Sequence, residues 1–263
     1  MPLSRTPGLT ARQVEDFIAN GFLKVEDAFS RDLARACRDA LWAETGLTPD
    51  DPAGWTQPVL RIAWQSAPQF VAAANTPRLH AAYDALAGTG RWVPPQGLGS
   101  FPIRFPSSAG AGDEGWHVDV SFGTENPDFM EWRVNVTSRG RALLMLFLFS
   151  DVGPRDAPTR LRKGSHRVIA RELLPAGEAG LSLRELSAAG YASSADCPQA
   201  LATGAAGTVY LCHPFLVHAA QRHEGTEPRF MAQPALLPTG PFDPAEPPSP
   251  VQIAIRRACG LVF

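Results

Sequence analysis

His117-Val118-Asp119 constrains this chain more than any other feature. In an extended strand side chains alternate with a period of two, so His117 and Asp119 point to one face and can reach one metal ion. A third ligand must come from elsewhere in the chain, and His218, roughly a hundred residues later, can supply it. The fold must therefore bring two distant extended segments side by side. Two imidazoles and one carboxylate on one side of an ion leave the opposite positions open for a cosubstrate and dioxygen, the facial arrangement of non-haem iron(II) oxygenases.

The rest of the sequence is compatible with such a β architecture. Thr10 and Gln13 have capping-box spacing, and Val14, Phe17 and Ile18 share a helical face, which predicts a short amphipathic helix closed by Gly21. Phe22 to Val25 reads as a strand, and Ser30 caps a longer helix running through Leu41-Trp42. From Gly97 onward the character changes. Phe101–Phe105, Trp132–Val136, Ala142–Phe149, Thr208–Cys212 and Phe230–Leu237 are short β-rich runs separated by Gly, Pro and Asp clusters. Ser107 to Gly115 and the proline-rich Asp243 to Pro250 read as loops. The expectation is one domain over 1–263, mainly β with flanking helices, with a helical N-terminal third and a jelly-roll core at about 97–240.

Composition narrows the partners. Lys plus Arg (24) nearly balances Asp plus Glu (26), a formal charge of −2, so no global field argues for nucleic acid or an anionic membrane surface. A small-molecule partner is the expectation, and the charge balance says nothing of oligomeric state. Cys37, Cys197, Cys212 and Cys259 are spread without a C-x-x-C pair, which fits neither a zinc ribbon nor a disulfide framework and predicts reduced thiols. The N-terminal stretch lacks a basic start followed by an apolar run, and Ala142 to Phe149 is too short to span a bilayer, so a cytoplasmic protein is expected.

Of the remaining histidines, His213 and His223 lie at odd spacings from His218, so the three cannot share one face of a strand. His213 reads as packed, His223 as a solvated loop residue in the turn before Pro228, and His166 as structural. That turn predicts a hairpin setting Arg229 on the strand next to His218, where a planar guanidinium can hold a carboxylate bidentately. Arg104, on the strand before the glycine-rich loop, either faces the cosubstrate or an acidic substrate or makes a structural ion pair. Trp116, Phe122, Trp132 and Asn135 are candidate pocket walls or core. The run Arg160-Leu161-Arg162-Lys163 is a solvated face or, less favourably, a grip for CoA phosphates.

The strings GWHVDV, LFSDVGPRDAPTRLRKGSHR and GTVYLCHPFLVHAAQRHEGTEPRF, with the opening NGFLKV, resemble the phytanoyl-CoA dioxygenase family of Fe(II)- and 2-oxoglutarate-dependent oxygenases. The resemblance spans about Leu9 to Leu237. It implies a double-stranded β-helix of the cupin-like kind, with iron held by His117, Asp119 and His218 and the distal carboxylate of 2-oxoglutarate clamped by Arg229. It also implies consumption of dioxygen and 2-oxoglutarate to hydroxylate a small metabolite. The abundance of Ala, Arg, Pro and Gly suggests a GC-rich bacterial genome, and a hydroxylase of this kind is expected to serve specialised metabolism there. An intact aspartate at 119 favours hydroxylation over halogenation; desaturation, ring formation and demethylation remain alternative outcomes, and a non-catalytic jelly-roll binding protein is the rival from another class. The sequence departs from the family pattern at Ala220, where a serine commonly helps hold the cosubstrate, and at Lys163, where proline usually precedes the Gly-Ser-His stretch. Residues Glu125 to Arg141 are longer than the usual link, an expected extra hairpin at the substrate entrance.

Overall fold

The computed structural model describes residues 8–241 and 246–261. The first seven residues and 243–245 of the proline-rich stretch lie outside that range. In chain order the elements are α1 (Ala11–Asn20), β1 (Phe22–Val25), α2 (Arg31–Thr45), β2 (Val59–Ile62), α3 (Pro68–Ala74), α4 (Pro77–Ala87), β3 (Phe101–Arg104), β4 (Arg133–Val134), β5 (Leu143–Leu148) and β6 (Arg160–Arg162). They continue with α5 (Ser165–Leu173), β7 (Leu181–Ser182), α6 (Leu183–Ser187), β8 (Gln199–Leu201), β9 (Val209–Cys212), β10 (His218–Ala219), β11 (Met231–Ala232), β12 (Ala235–Leu236) and α7 (Pro250–Cys259).

Two antiparallel sheets face each other as a jelly roll. The larger runs β1-β9-β5-β11, with β12 also on β5, and single bridges extend it through Arg229 and Arg104 to β3 and β2. The smaller is β10-β6-β8, joined at its free edge by the extended segment around His117. Strand β5 explains why Ala142–Phe149 is uniformly apolar. Leu144, Leu146 and Leu148 enter the inner cluster with Leu161, Tyr210, Cys212 and Leu216, while Leu143, Met145 and Phe147 enter the outer cluster with the helices. Both faces are buried, so the usual alternation of apolar and polar residues is absent.

The helices back the larger sheet. Thr10 and Gln13 form the expected capping box of α1, and Gly21 ends it in the left-handed conformation. A Cβ on Gly21 would lie 2.4 Å from His166 Nδ1, so the missing side chain also lets α1 and α5 meet. On α2, Trp42 packs against Phe105 and Phe230, the neighbours of Arg104 and Arg229. Alternation does the rest: with Phe105 and Phe230 packed outward on the helix, Arg104 and Arg229 turn inward. Burying each aromatic contributes about 1.5–3 kcal/mol, enough to fix the strands that carry the arginines.

The expected pattern needs four corrections. Strand β1 joins the larger sheet from outside the 97–240 core, antiparallel to β9. The 125–141 link is less of a hairpin than expected: Phe122 and Arg133 exchange both backbone hydrogen bonds around a loop with a 3-10 turn at Phe129–Glu131, then β4 pairs with β7. The apolar run Phe215-Leu216-Val217 reads in the sequence as a strand ending at His218, but His218 instead opens one. Ser249 and Gln252 form a capping box that starts α7, so the proline-rich stretch ends in a helix rather than a loop.

Candidate active site

The extended segment at 117 and β10 meet in a two-bond antiparallel bridge, His117 N–H to His218 carbonyl and the reverse, both 2.9 Å. Residues opposed in this way carry their side chains on one face, and the imidazole ring centres are 4.3 Å apart. Each ring is oriented by its own strand. His117 Nδ1 lies 3.0 Å from the Gly115 carbonyl and His218 Nδ1 2.9 Å from the Leu216 carbonyl, so both Nδ1 atoms donate and both Nε2 atoms carry a lone pair. Asp119, two residues on, brings Oδ1 to 4.0 Å from His117 Nε2 and 3.7 Å from His218 Nε2.

Two nitrogens and one oxygen thus lie within 4.8 Å of one another. His218 Nε2 is buried and has no hydrogen-bond partner. A buried acceptor left unpaired is costly, and a divalent ion between these atoms satisfies it. The donor set, two imidazole nitrogens and a carboxylate, suits a first-row transition metal with open positions. Burial and the neighbouring His117 push His218 down to about 4, so it is neutral and ready to ligate at ordinary pH. Burial pulls the Asp119 carboxyl up, but Arg141 and the two imidazoles outweigh it and hold it below the usual carboxylate range.

A second bridge of the same type lies in the larger sheet. Arg104 N–H donates to the Arg229 carbonyl at 3.1 Å and Arg229 N–H to the Arg104 carbonyl at 2.8 Å. This corrects the expected hairpin: Arg229 pairs with Arg104 on β3, not with His218, which pairs with His117 and Leu161 in the other sheet. The loop 220–228 crosses between sheets, so the two residues lie in opposite sheets. Arg229 is 1% exposed, and its Nη2 donates to the Pro102 carbonyl at 2.9 Å and its Nη1 to that of Ala157. Burial and then Arg104 lower its pKa to about 9. The Nε atoms of both arginines are buried without partners. Asp113, on the glycine-rich loop, pairs with Arg104 at 2.5 Å and with Arg61, so Arg104 makes an ion pair while it adjoins Arg229.

Asp113, His117 and Asp119 open into one cleft of about 680 Å³, walled by Trp116, Val120, Phe129, Met130, Trp132 and Leu183, with Ser100 and Gln233 at its polar end. Of the two roles open to them, Trp116 and Trp132 are therefore wall residues, packed on the core behind. Phe122 instead supports Arg139, and Asn135 is buried within a turn. His166 and His213 are buried against the Ile18 and Val251 carbonyls. His223 is a correction: it is 3% exposed, not solvated, and sits beside Asp156. The basic run is no free face either, since Arg160 and Arg162 stack on Trp116 at 4.6 and 4.2 Å and Arg162 is bound to Tyr191 and Ser194. At the departure from the family pattern, the Ala220 carbonyl accepts from Arg160. Asp113 escaped the sequence reading, and so did Arg141, whose Nη1 lies 3.1 Å from Asp119 Oδ2. For Arg141 the sole signal was a charged residue one position before the apolar strand.

This fold is shared by solved non-haem 2-oxoglutarate-dependent enzymes. The chain is similar to SnoK, a carbocyclase from nogalamycin biosynthesis, at 18% identity and TM-score 0.61, covering 87% of this chain and 84% of that one. It is similar to HygX from Streptomyces hygroscopicus with nickel and 2-oxoglutarate bound, at 21% identity, TM-score 0.57 and 88% of each chain. It is also similar to EctD from S. alaskensis with 2-oxoglutarate and 5-hydroxyectoine, at 23% identity, TM-score 0.55, covering 88% and 76%. No family model and no curated protein sequence matches the chain. Among the described residues no helix is long and apolar enough to cross a membrane.

Proposed function

We propose that this chain is an Fe(II)- and 2-oxoglutarate-dependent dioxygenase of the phytanoyl-CoA dioxygenase type that hydroxylates a small metabolite in bacterial specialised metabolism. The observation that carries the reading is the pairing of two devices: a two-histidine, one-carboxylate set whose His117 and Asp119 line the cleft, and a buried arginine pair with unpartnered Nε atoms that meets the same cleft through Asp113. Either alone is common. Together they match a dicarboxylate bound at one end by a metal and at the other by a guanidinium fork.

His117, Asp119 and His218 would hold Fe(II). With 2-oxoglutarate and dioxygen bound, that metal supplies the oxidising power to replace a substrate C–H bond by C–OH, as 2-oxoglutarate leaves as succinate and carbon dioxide. Arg229, supported by Arg104, would bind and orient the distal carboxylate. Trp116, Phe129, Met130 and Trp132 would hold the apolar body of the substrate and keep water from the reacting carbon. Solved neighbours include a carbocyclase and the epimerase SnoN from the same biosynthesis, so one scaffold supports outcomes other than hydroxylation. The intact donor set speaks against a non-catalytic binding protein.

Anaerobic titration of the metal-free protein with Fe(II) and then 2-oxoglutarate tests the reading. A weak visible charge-transfer band that Arg229→Ala removes is the expected result. Iron binding without the band, or no iron binding, would overturn it.

A further inference from the structure

The 135–141 turn is built to a tighter specification than a surface link requires. Buried Asn135 accepts the Arg139 N–H at 3.0 Å and the Thr137 hydroxyl at 3.1 Å through Oδ1. Ser138 adopts a left-handed conformation, accepts the Arg141 N–H at 3.2 Å and returns its hydroxyl to the Arg141 carbonyl at 2.7 Å. Gly140, at φ +82°, passes so close to the metal-site strand that a Cβ there would lie 2.5 Å from the Ser121 carbonyl oxygen. Ser121 in turn donates its hydroxyl to the Arg139 carbonyl at 2.5 Å. Ala142 N–H then binds the Leu236 carbonyl at 2.8 Å, so the backbone of Arg141 is anchored on both sides.

All of this delivers one side chain. Arg141 is 13% exposed, and its guanidinium spans the metal-site strand: Nη1 donates to Asp119 Oδ2 at 3.1 Å and Nη2 to the Val120 carbonyl at 3.3 Å. Apart from the two imidazoles near Oδ1, no other group among the described residues hydrogen-bonds or ion-pairs with the Asp119 carboxylate. The two oxygens are therefore assigned different partners, Oδ1 toward His117 and His218 and Oδ2 toward Arg141.

We propose that Arg141 is a positioning residue that fixes Asp119 as a one-oxygen ligand. This rests on reading His117, Asp119 and His218 as the metal site. A carboxylate can ligate through one oxygen or both. With Oδ2 held by Arg141, Asp119 offers only Oδ1, and the position that a second oxygen would take stays free for exchangeable ligands. Partners that orient ligating residues in this way commonly change metal affinity 10- to 100-fold.

The test is a double-mutant cycle on Co(II) affinity, measured by titrating metal-free protein without oxygen or 2-oxoglutarate. Arg141→Leu should weaken Co(II) binding by about 10- to 100-fold, with Arg141→Lys recovering part of the loss. In an Asp119→Ala background, where the arginine has no carboxylate to orient, Arg141→Leu should change affinity by no more than about twofold. Arg141→Gln, which keeps an N–H donor, carries the same cycle should the leucine variant fail to fold. Wild-type affinity in Arg141→Leu, or an equal loss in the Asp119→Ala background, would overturn the proposal while leaving the metal site intact. Failure of the wild-type protein to bind Co(II) would instead remove the metal-site reading and this inference with it.

Discussion

Arg104 and Arg229 exchange both backbone hydrogen bonds across their bridge, as His117 and His218 do in the opposite sheet. One geometric device, used twice, places a pair of imidazoles and a pair of guanidiniums. Among the described residues Asp113 is the one carboxylate ion-paired with either arginine. Replacing Arg229 by Lys puts a point charge where a fork was, and 2-oxoglutarate binding measured calorimetrically with Ni(II) as a redox-silent metal should weaken at least tenfold, about 1.4 kcal/mol or more.

Asp113 competes for the same cation that an incoming carboxylate needs. Asp113→Asn should therefore tighten binding of 2-oxoglutarate severalfold in the same assay. Weaker binding would mean that the loop carboxylate orients Arg104 for the ligand instead.

Metal binding should stabilise the fold by linkage. At a free Ni(II) concentration of about a hundred times Kd the gain is about 2.7 kcal/mol, visible as a raised Tm that chelator reverses. His218→Ala should abolish most of this metal-dependent rise, since it removes one of three ligands.

Stability should fall in acid before the carboxylates titrate. His166 and His213 are packed with ring centres 4.8 Å apart, and burial lowers His166 to about 4 and His213 well below 6.5. Above 6.5 both are neutral folded or unfolded, and pH has no effect through them. Between 6.5 and about 4 the unfolded chain binds protons that the folded chain does not, so stability declines as pH drops. For His166 alone the loss by pH 4 is on the order of 3 kcal/mol. Urea unfolding at pH 7 and pH 5 measures it, and His166→Gln should flatten the dependence.

Gly140→Ala meets both a left-handed backbone and the Ser121 carbonyl, and should cost about 1–3 kcal/mol. Gly240→Ala meets nothing within 4 Å and should be neutral, so urea midpoints of the two variants separate the turn from a generic glycine effect.

The site was legible where its geometry is local or periodic. His117 and Asp119 declare themselves through the two-residue repeat, and the helices α1 and α2 through capping and amphipathic spacing. Thr10, Gln13, Gly21 and Ser30 all act as expected. The neighbour of Arg229 was not legible, because the loop after His218 changes sheets and nothing in Glu224 to Pro228 distinguishes that crossing from a hairpin. Arg141 was invisible for a related reason: its partner is 22 residues away and is reached through a turn whose shape depends on tertiary contacts. Helix α7 could have been found from Ser249, Pro250 and Gln252, had the cap been weighed against the prolines before it.

The segment from Phe129 to Arg141 carries both the outer aromatic wall of the cleft and the arginine that holds Asp119. Substrate range and ligand geometry therefore abut within one short segment of the chain. A graft meant to swap the wall for that of another enzyme would, if cut at the start of β5, import a foreign turn beneath the carboxylate. Crossing over at Val134, where β4 is pinned to β7, would exchange the wall and leave the turn native.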